Sequence, residues 1–435
     1  MPLLLIRAAL HIKSGIINLD FFLLTLLACL GSPGLALALF IATYVLELAR
    51  LLDALYYFSG SDPLFALRFL GHVRPSLVLT WAAAFVVVCA VGFLLWKAAV
   101  PRPNEGPLKQ SALAVGIFLM LLLGFDRANG FEFTGAKRHI RIGYRAVDEV
   151  LLRVPLSIAR PAPVLGTVAV TGSASAPLWL GQFAARQDNV VVVLVESMGR
   201  LLDAGDAQQE FALFQDPAVA QRYTVTTGSV PFTGSTVAGE MRELCRLRTG
   251  MTITADTVKG HPLCLPGHYR DAGYQALAFH GFRASMFQRS AWYPLLGFTG
   301  ETFLADMPQL PTCEGAFYGV CDGAVAGVLQ QRLRARATGA LPPQFLYWMT
   351  LNSHLPVNQA AAPKAACPVA ADRHVCAQLA YVQAVLVAVK TLALDPAIGR
   401  TAIVIVGDHA PPFLIPRERD RFDGKRVPFV FLQPR

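Results

Sequence analysis

Two stretches of the chain, residues 21–46 and 75–96, each run for more than 20 residues without a charged side chain. A helix of that length crosses a hydrocarbon core of roughly 30 Å, so the N-terminal third reads as membrane-spanning. A third apolar run, 110–125, is shorter, and Lys109 at its start can place its ammonium among head groups and extend the reach. Gly31-Ser32-Pro33-Gly34 either kinks the first helix or separates two short ones in a re-entrant hairpin, which gives three to five spans over residues 1–126. Because further spans follow and no small-residue cleavage site closes a short apolar core, the first stretch does not read as a cleavable signal peptide.

Composition agrees. Only 15% of the 435 residues are charged and 54% are hydrophobic, against roughly 25% charge in an ordinary soluble domain, which excludes a wholly soluble enzyme. The net charge of +9 is carried by scattered Lys and Arg, without a basic motif interleaved with aromatics. That pattern suits anionic lipid head groups, and no nucleic-acid partner is expected.

Arg7 and Lys13 precede the first span, and Lys97, Arg102 and Lys109 crowd the loop between the later two, so both places read as cytoplasmic. With an odd number of spans, everything after residue 126 is then extracytoplasmic. The basic run 137–145 reads as a juxtamembrane helix lying on lipid phosphates, and residues 127–186, with Pro155, Pro161, Pro163 and Pro177, as that surface helix followed by an extended linker. Six of the eight cysteines lie beyond it, in three neighbouring pairs: Cys245 with Cys264, Cys313 with Cys321, and Cys367 with Cys376. Six cysteines allow 15 connectivities, of which nearest-neighbour pairing is the simplest. An even number in this domain points to disulfides in an oxidising compartment.

Residues 187–435 read as an α/β domain with a mostly parallel central sheet. Residues 190–195 form an unbroken Val/Leu run of the kind that a strand buried on both faces requires. Further apolar strands are expected at 274–279, 345–351, 401–406 and 427–432, with helices at 322–337 and 374–394 between them. In open sheets of this kind, ligands bind beyond the carboxyl ends of the strands. Those ends carry Glu196-Ser197, His280-Gly281, Asn352-Ser353-His354 and Gly407-Asp408-His409.

Carboxylates and a neutral imidazole at one edge suit a single divalent cation, zinc or manganese. A nucleophile is then sought in the stretch TTGSVPFTGSTVAGEMREL, which reads as a Gly/Ser/Thr-rich turn entering a helix with Thr236 at or next to its N-cap. Helix amides there favour an alkoxide or a phosphate, and a hydroxyl on the metal would be activated. The plain alternative is that Ser235 or Thr236 only caps the helix.

These motifs, in order, are a buried strand ending in Glu-Ser, a Thr at a Gly-rich helix start, FHGF followed by MFQRSAWYPLLGF, TLNSHLPV, and GDHAPP. Together they resemble the alkaline-phosphatase-like transferases, within them most the lipoteichoic acid synthase and phosphoglycerol transferase branch. The resemblance implies an alkaline-phosphatase-like fold and one divalent metal, manganese or zinc with magnesium an option, held by Glu196, Thr236, Asp408 and His409. It also implies that Thr236 is the nucleophile, that His280 and Arg289 bind head group and phosphate, and that His354 contacts the transferred group or the leaving oxygen. Phe287 stands where the synthases often have Trp. The implied protein is a multi-pass enzyme of the bacterial inner membrane with a periplasmic catalytic domain. It would move phosphoglycerol from a phospholipid donor, phosphatidylglycerol, to an envelope glycan or glycolipid.

The alternative is a phosphoethanolamine transferase that modifies lipid A or another envelope glycan, with phosphatidylethanolamine as donor; such transferases share the fold, the metal set and a disulfide-rich domain. Their Cys-rich loop after the second strand is replaced here by FHGFRASMFQR. Arylsulfatases need a C/S-x-P-x-R motif, which does not occur near Thr236. A non-catalytic envelope protein that binds lipid or glycan is the reading from a different class; it would require a decayed ligand set.

Overall fold

The computed structural model describes residues 172–258, 264–364, 367 and 372–435, the segments 67–73 and 75–99, and short pieces at 17–18, 38, 40–44, 55, 57, 143–144 and 168–169. The chain forms two compact units, Met1–Pro63 with Pro75–Ala162, and Leu64–Arg74 with Pro163–Arg435. The expected spans at 21–46 and 110–125 lie almost wholly outside the described residues, as does the basic surface run 137–145 apart from 143–144. In the first unit, Pro75–Ala99 is one α-helix of 25 residues, about 37 Å long at helical rise. Leu79, Val86, Val87 and Leu94 on it are all about 60–70% exposed.

The second unit is built on a seven-stranded sheet. Its strands are β1 (Asn189–Val195), β2 (Tyr223–Pro231), β3 (Gln275–His280), β4 (Gly300–Thr302), β5 (Gln344–Met349), β6 (Thr401–Gly407) and β7 (Arg426–Pro434), in the order β2-β7-β6-β1-β5-β3-β4. The pairs β6-β1, β1-β5, β5-β3 and β3-β4 are parallel, while β7 runs antiparallel to both its neighbours. Every residue of β1, β5 and β6 is buried, as unbroken apolar strands covered on both faces must be.

Four helices matter to the site: α1 (Thr236–Cys245), α2 (Arg289–Leu296), α3 (Asp322–Ala337) and α4 (Arg373–Leu394). Val191, Val193 and Val195 of β1 share one core with Val325, Leu329 and Leu333 of α3 and Val382, Leu386 and Val389 of α4. Length and composition alone would let α4 cross a membrane. Its burial in this core identifies it as an internal helix of the domain. On the other sheet face, Tyr347 of β5 reaches Glu240 of α1.

Two boundaries differ from the expectation. The expected turn before Thr236 is mostly strand: residues 223–231 form β2, fully paired to β7 at the sheet edge. Its Thr and Gly residues face solvent on an edge, where the alternation is too polar to show as a hydrophobic run. The expected extended end of the linker is also folded into the domain, because Ala176–Leu180 and Gln182–Arg186 form two short helices and Leu178 and Phe183 are fully buried. Tyr269 and Tyr274 donate hydroxyl hydrogen bonds to the carbonyls of Leu178 and Phe183. The domain therefore starts before residue 187.

The short helix Leu67–His72, immediately before the apolar helix, belongs to this second unit. Phe69 is buried in a cluster with Phe282, Met286 and Leu351. All three expected disulfides are present, Cys245–Cys264, Cys313–Cys321 and Cys367–Cys376, with Cα separations of 4.3, 5.0 and 5.3 Å.

Candidate active site

Strand register creates the site. Gly407 of β6 is paired with Val195 of β1, so Asp408 and Glu196 leave adjacent parallel strands side by side. Met349 of β5 pairs with both Leu194 and His280, which brings the 350–354 loop and His280 to the same edge. The turn after β1 is tight: Ser197 has φ 54°, its amide donates to Asp408 Oδ1 at 2.8 Å, and its hydroxyl donates to Glu196 Oε1 at 2.8 Å. Thr350 Oγ1 accepts from the Glu196 amide, and Ser353 Oγ donates to the Glu196 carbonyl.

Thr236 enters from above on α1, with Ser235 at the N-cap making no capping hydrogen bond. Its Oγ1 lies 3.4 Å from Glu196 Oε2 and 3.5 Å from His409 Nε2. Gly239, one turn on, lets the helix approach: a Cβ there would sit 2.9 Å from Asp408 Cβ and 3.0 Å from its Cα. A mid-helix glycine costs about 1 kcal/mol of helix propensity, and the close contact with the Asp408 loop explains its presence.

Glu196, Asp408 and His409 offer ligand atoms that all lie within 4.8 Å of one another. Asp408 Oδ1 is occupied by the Ser197 and His409 amides, whereas Oδ2 is buried and receives no hydrogen bond. Burial, with the Glu196 charge beside it, pushes the Asp408 carboxyl up to about 6. Burial lowers the His409 imidazole, but Asp408 and Glu196 outweigh it and the net direction is upward. The His409 ring contacts the Ala410 carbonyl through Nδ1 at 2.9 Å, so Nδ1 donates there and Nε2 is left to face the carboxylates, 3.4 Å from Asp408 Oδ2. Crowded anionic oxygens, an orphaned carboxylate oxygen and an oriented imidazole form a donor set that fits a divalent cation of the zinc or manganese kind.

The remaining expected residues fall in two places. His354 is close enough to His409 for its charge to be felt; burial and His409 pull its imidazole down to about 4, so it is neutral near pH 7. His280 is likewise held neutral, at about 3, by burial and by Arg289. Arg289 is fully buried and paired with Glu240 of α1 at 3.1–3.3 Å, with Nη1 left without a partner. Tyr293 and Tyr347 donate to the same Glu240 carboxylate.

Several contributors carried no signal along the chain. Arg242 of α1 donates to the carbonyls of Gly407 and Asp408 at 2.6 and 3.0 Å and to Glu243 at 2.6 Å. Glu243 in turn accepts from Ser173 and Ser175. Asp322, at the start of α3, accepts from the Leu351 and Asn352 amides and so fixes the loop that carries His354. The pattern [ST]-x-x-x-G-E-x-R-E over 235–243 could have flagged an unusually polar buried helix, but nothing in it says what each charge would meet.

No curated protein matches the chain. Among solved structures, it is similar to the lipoteichoic acid synthase LtaP of Listeria monocytogenes at 17% identity, with a TM-score of 0.44 over 62% of this chain and 69% of that one. A Streptococcus pyogenes phosphoglycerol transferase, GacH, solved with sn-glycerol-1-phosphate, is similar at 13% identity, with a TM-score of 0.39 over 61% of this chain and 76% of that one. The C-terminal periplasmic domain of EcEptC from Escherichia coli is similar at 13% identity, with a TM-score of 0.36 over 57% of this chain and 72% of that one. The profile described as Sulfatase matches residues 188–435. That span is more than half of the chain and holds the whole seven-stranded sheet with every residue of the candidate site, so the chain belongs to the sulfatase family, with an alkaline-phosphatase-like α/β domain.

Proposed function

We propose that the protein is a membrane-anchored, metal-dependent phosphotransferase that moves a phosphoglycerol group from a phospholipid to an envelope glycan or glycolipid. The observation that carries this is the convergence of the Thr236 hydroxyl with Glu196, Asp408 and His409 at the N-terminus of α1. A bound divalent ion, held by these four side chains, would lower the pKa of the hydroxyl and offset charge on the phosphoryl oxygens.

The chain's own residues do the rest. Thr236 Oγ1 forms a bond to phosphorus as the bond to the diacylglycerol oxygen breaks, and the hydroxyl proton ends on that leaving oxygen. An acceptor hydroxyl then displaces the phosphothreonine ester and returns a proton to Thr236. The α1 N-terminus, with no side-chain cap, directs its amides at the anion. His354, neutral and so with a ring nitrogen free to take a proton, accepts or returns the proton at the departing or entering oxygen. Arg289 and His280 line the head-group side.

Glycerol is favoured over ethanolamine as the head group by charge. His280, Arg283, Arg289 and His354 are neutral or cationic. Among the described residues, the further carboxylates near them are already engaged, Glu240 by Arg289, Tyr293 and Tyr347 and Asp322 by the Leu351 and Asn352 amides, which leaves an ammonium without a ready partner. Membrane anchorage through residues 1–126 rests on their charge-free stretches, and the extracytoplasmic placement of 127 onward is supported by the three disulfides. It is further supported by the packing of Leu67–His72 on the catalytic domain, which requires both to lie on one side of the bilayer. The two spans expected at 75–96 and 110–125 would return the chain to that side.

Mass spectrometry of the protein isolated from its membrane tests the reading. A phosphoglycerol adduct is expected on Thr236, absent in Thr236→Ala and retained in part in Thr236→Ser. Full transfer by the Ala variant would reduce Thr236 to a helix-start residue; the fold should survive the change, because Thr236 makes no capping hydrogen bond.

A further inference from the structure

The residues that lead into Arg289 are held in an unfavourable backbone. Phe287 and Gln288, neither of them glycine, have φ of 54° and 56°, left-handed conformations that L side chains avoid because Cβ crowds the following carbonyl. Two such residues in succession persist only when their surroundings over-determine them. On one side the reason is local: Trp292 Nε1 donates to the Phe287 carbonyl at 2.9 Å, and the Arg289 guanidinium lies 5.2 Å from the centre of the Phe287 ring.

The other side is supplied from more than 200 residues away. The Phe69 ring packs on Phe287 at 5.1 Å and shares the buried cluster with Phe282 and Met286. His72 Nε2 and Ser285 Oγ are 2.8 Å apart, and the His72 ring meets Phe282 edge-on. Phe282 follows His280 by two residues, and Phe317, packed against it, touches His354. The segment before the apolar Pro75–Ala99 helix thus rests on the wall that carries three expected substrate contacts.

We propose that Leu67–His72 is a positioning element of the substrate site, in which Phe69 and His72 hold the strained Phe287–Gln288 turn and thereby fix Arg289 and the His280 side of the pocket for the phospholipid head group. The inference rests on the functional reading above for what the wall binds, but not for the support of the turn. Held in place beforehand, the wall loses no freedom when the head group binds; released, it must be ordered at each binding event, and affinity falls while the chemistry at Thr236 is untouched. The segment lies three residues before Pro75, so the apolar helix and the head-group wall are linked through the chain.

The test uses the full chain reconstituted in phosphatidylglycerol vesicles, comparing wild type with Phe69→Ala and with His72→Ala. The latter removes the Ser285 contact and the edge-on contact with Phe282 but keeps the Phe69 ring, and serves if Phe69→Ala fails to fold. Amide hydrogen exchange across the chain and the KM and kcat for labelled phosphatidylglycerol are measured together. Expected are faster exchange confined to 282–289, with β1 unchanged, and a KM raised about tenfold at a kcat within about twofold. Unchanged exchange in both variants overturns the proposal. So does faster exchange with an unchanged KM, or a loss confined to kcat. Absence of turnover in the wild type would instead refute the transferase reading, and the exchange comparison would still decide whether the segment holds the turn.

Discussion

Arg242 is the side chain whose removal tests most directly how the site is held. It is 4% exposed and makes three charge-assisted hydrogen bonds, to the carbonyls of Gly407 and Asp408 and to Glu243. Replacement by Met keeps most of the volume but leaves Glu243 as a buried charge and two loop carbonyls without a donor. Breaking a buried pair from one side costs about 3–5 kcal/mol. Glu243 retains three donors from Ser173 and Ser175, which places the expectation near 3 kcal/mol, since hydrogen bonds to a charge are worth about 1.5–3 kcal/mol each. For a domain of this size, that is a fall in Tm of about 6–12 °C. Arg242→Lys keeps the charge but cannot span three acceptors in a plane, so it should recover only part of the loss. The double variant Arg242→Met/Glu243→Gln should be less destabilised than the sum of the two single variants, because no uncompensated charge remains. Thermal unfolding of the detergent-solubilised full chain, followed by near-ultraviolet circular dichroism, reads all four. A shift of less than about 2 °C for Arg242→Met would refute the claim that this clamp supports the Gly407–Asp408 loop.

Three further outcomes follow from the structure. Glu210 is buried with neither carboxylate oxygen hydrogen-bonded, and burial raises its pKa from 4.5 to about 8. A raised folded-state value stabilises only while the group stays protonated, so stability should fall as pH rises from about 4.5 to 8, by up to about 5 kcal/mol. Glu210→Gln should flatten that dependence in denaturant titrations; equal slopes for variant and wild type would contradict the burial. Cys245–Cys264 ties the end of α1 to the start of the Leu265–Asp271 helix across 19 residues. Cys245→Ser/Cys264→Ser should therefore cost about 3 kcal/mol, and an unaltered unfolding midpoint would show that the tie is redundant. Vesicle-reconstituted enzyme should turn over labelled phosphatidylglycerol faster than phosphatidylethanolamine. The reverse order would move the assignment to phosphoethanolamine transfer and leave the roles of Thr236 and the metal ligands standing.

The residues that could be read along the chain share one property: their meaning is local. The Val run of β1 and the apolar β6 announce buried parallel strands whatever surrounds them, and the polar residues ending those strands mark the edge where ligands bind. The neighbouring cysteine pairs needed no long-range information either. The charge-free stretch at 75–96 reads as a long apolar helix, and the helix Pro75–Ala99 contains it. What the chain alone left open is where distant elements meet. The edge strand β2 was hidden because its exposed Thr and Gly residues carry no hydrophobic alternation, and only pairing with β7 makes it a strand.

Arg289 shows the same limit at the site. The family resemblance leads one to expect a phosphate contact there, yet only packing reveals that Glu240, from the helix that Thr236 begins, holds it from within. The clamp of Arg242 on the Asp408 loop and the support of Phe287 by Phe69 join segments more than 160 residues apart. Sequence determined the fold class and the chemical groups available, because hydrophobic period and residue type are local properties. Tertiary structure decided which carboxylate is left without a donor and which arginine is already paired, because pairing depends on distances that no one-dimensional pattern contains.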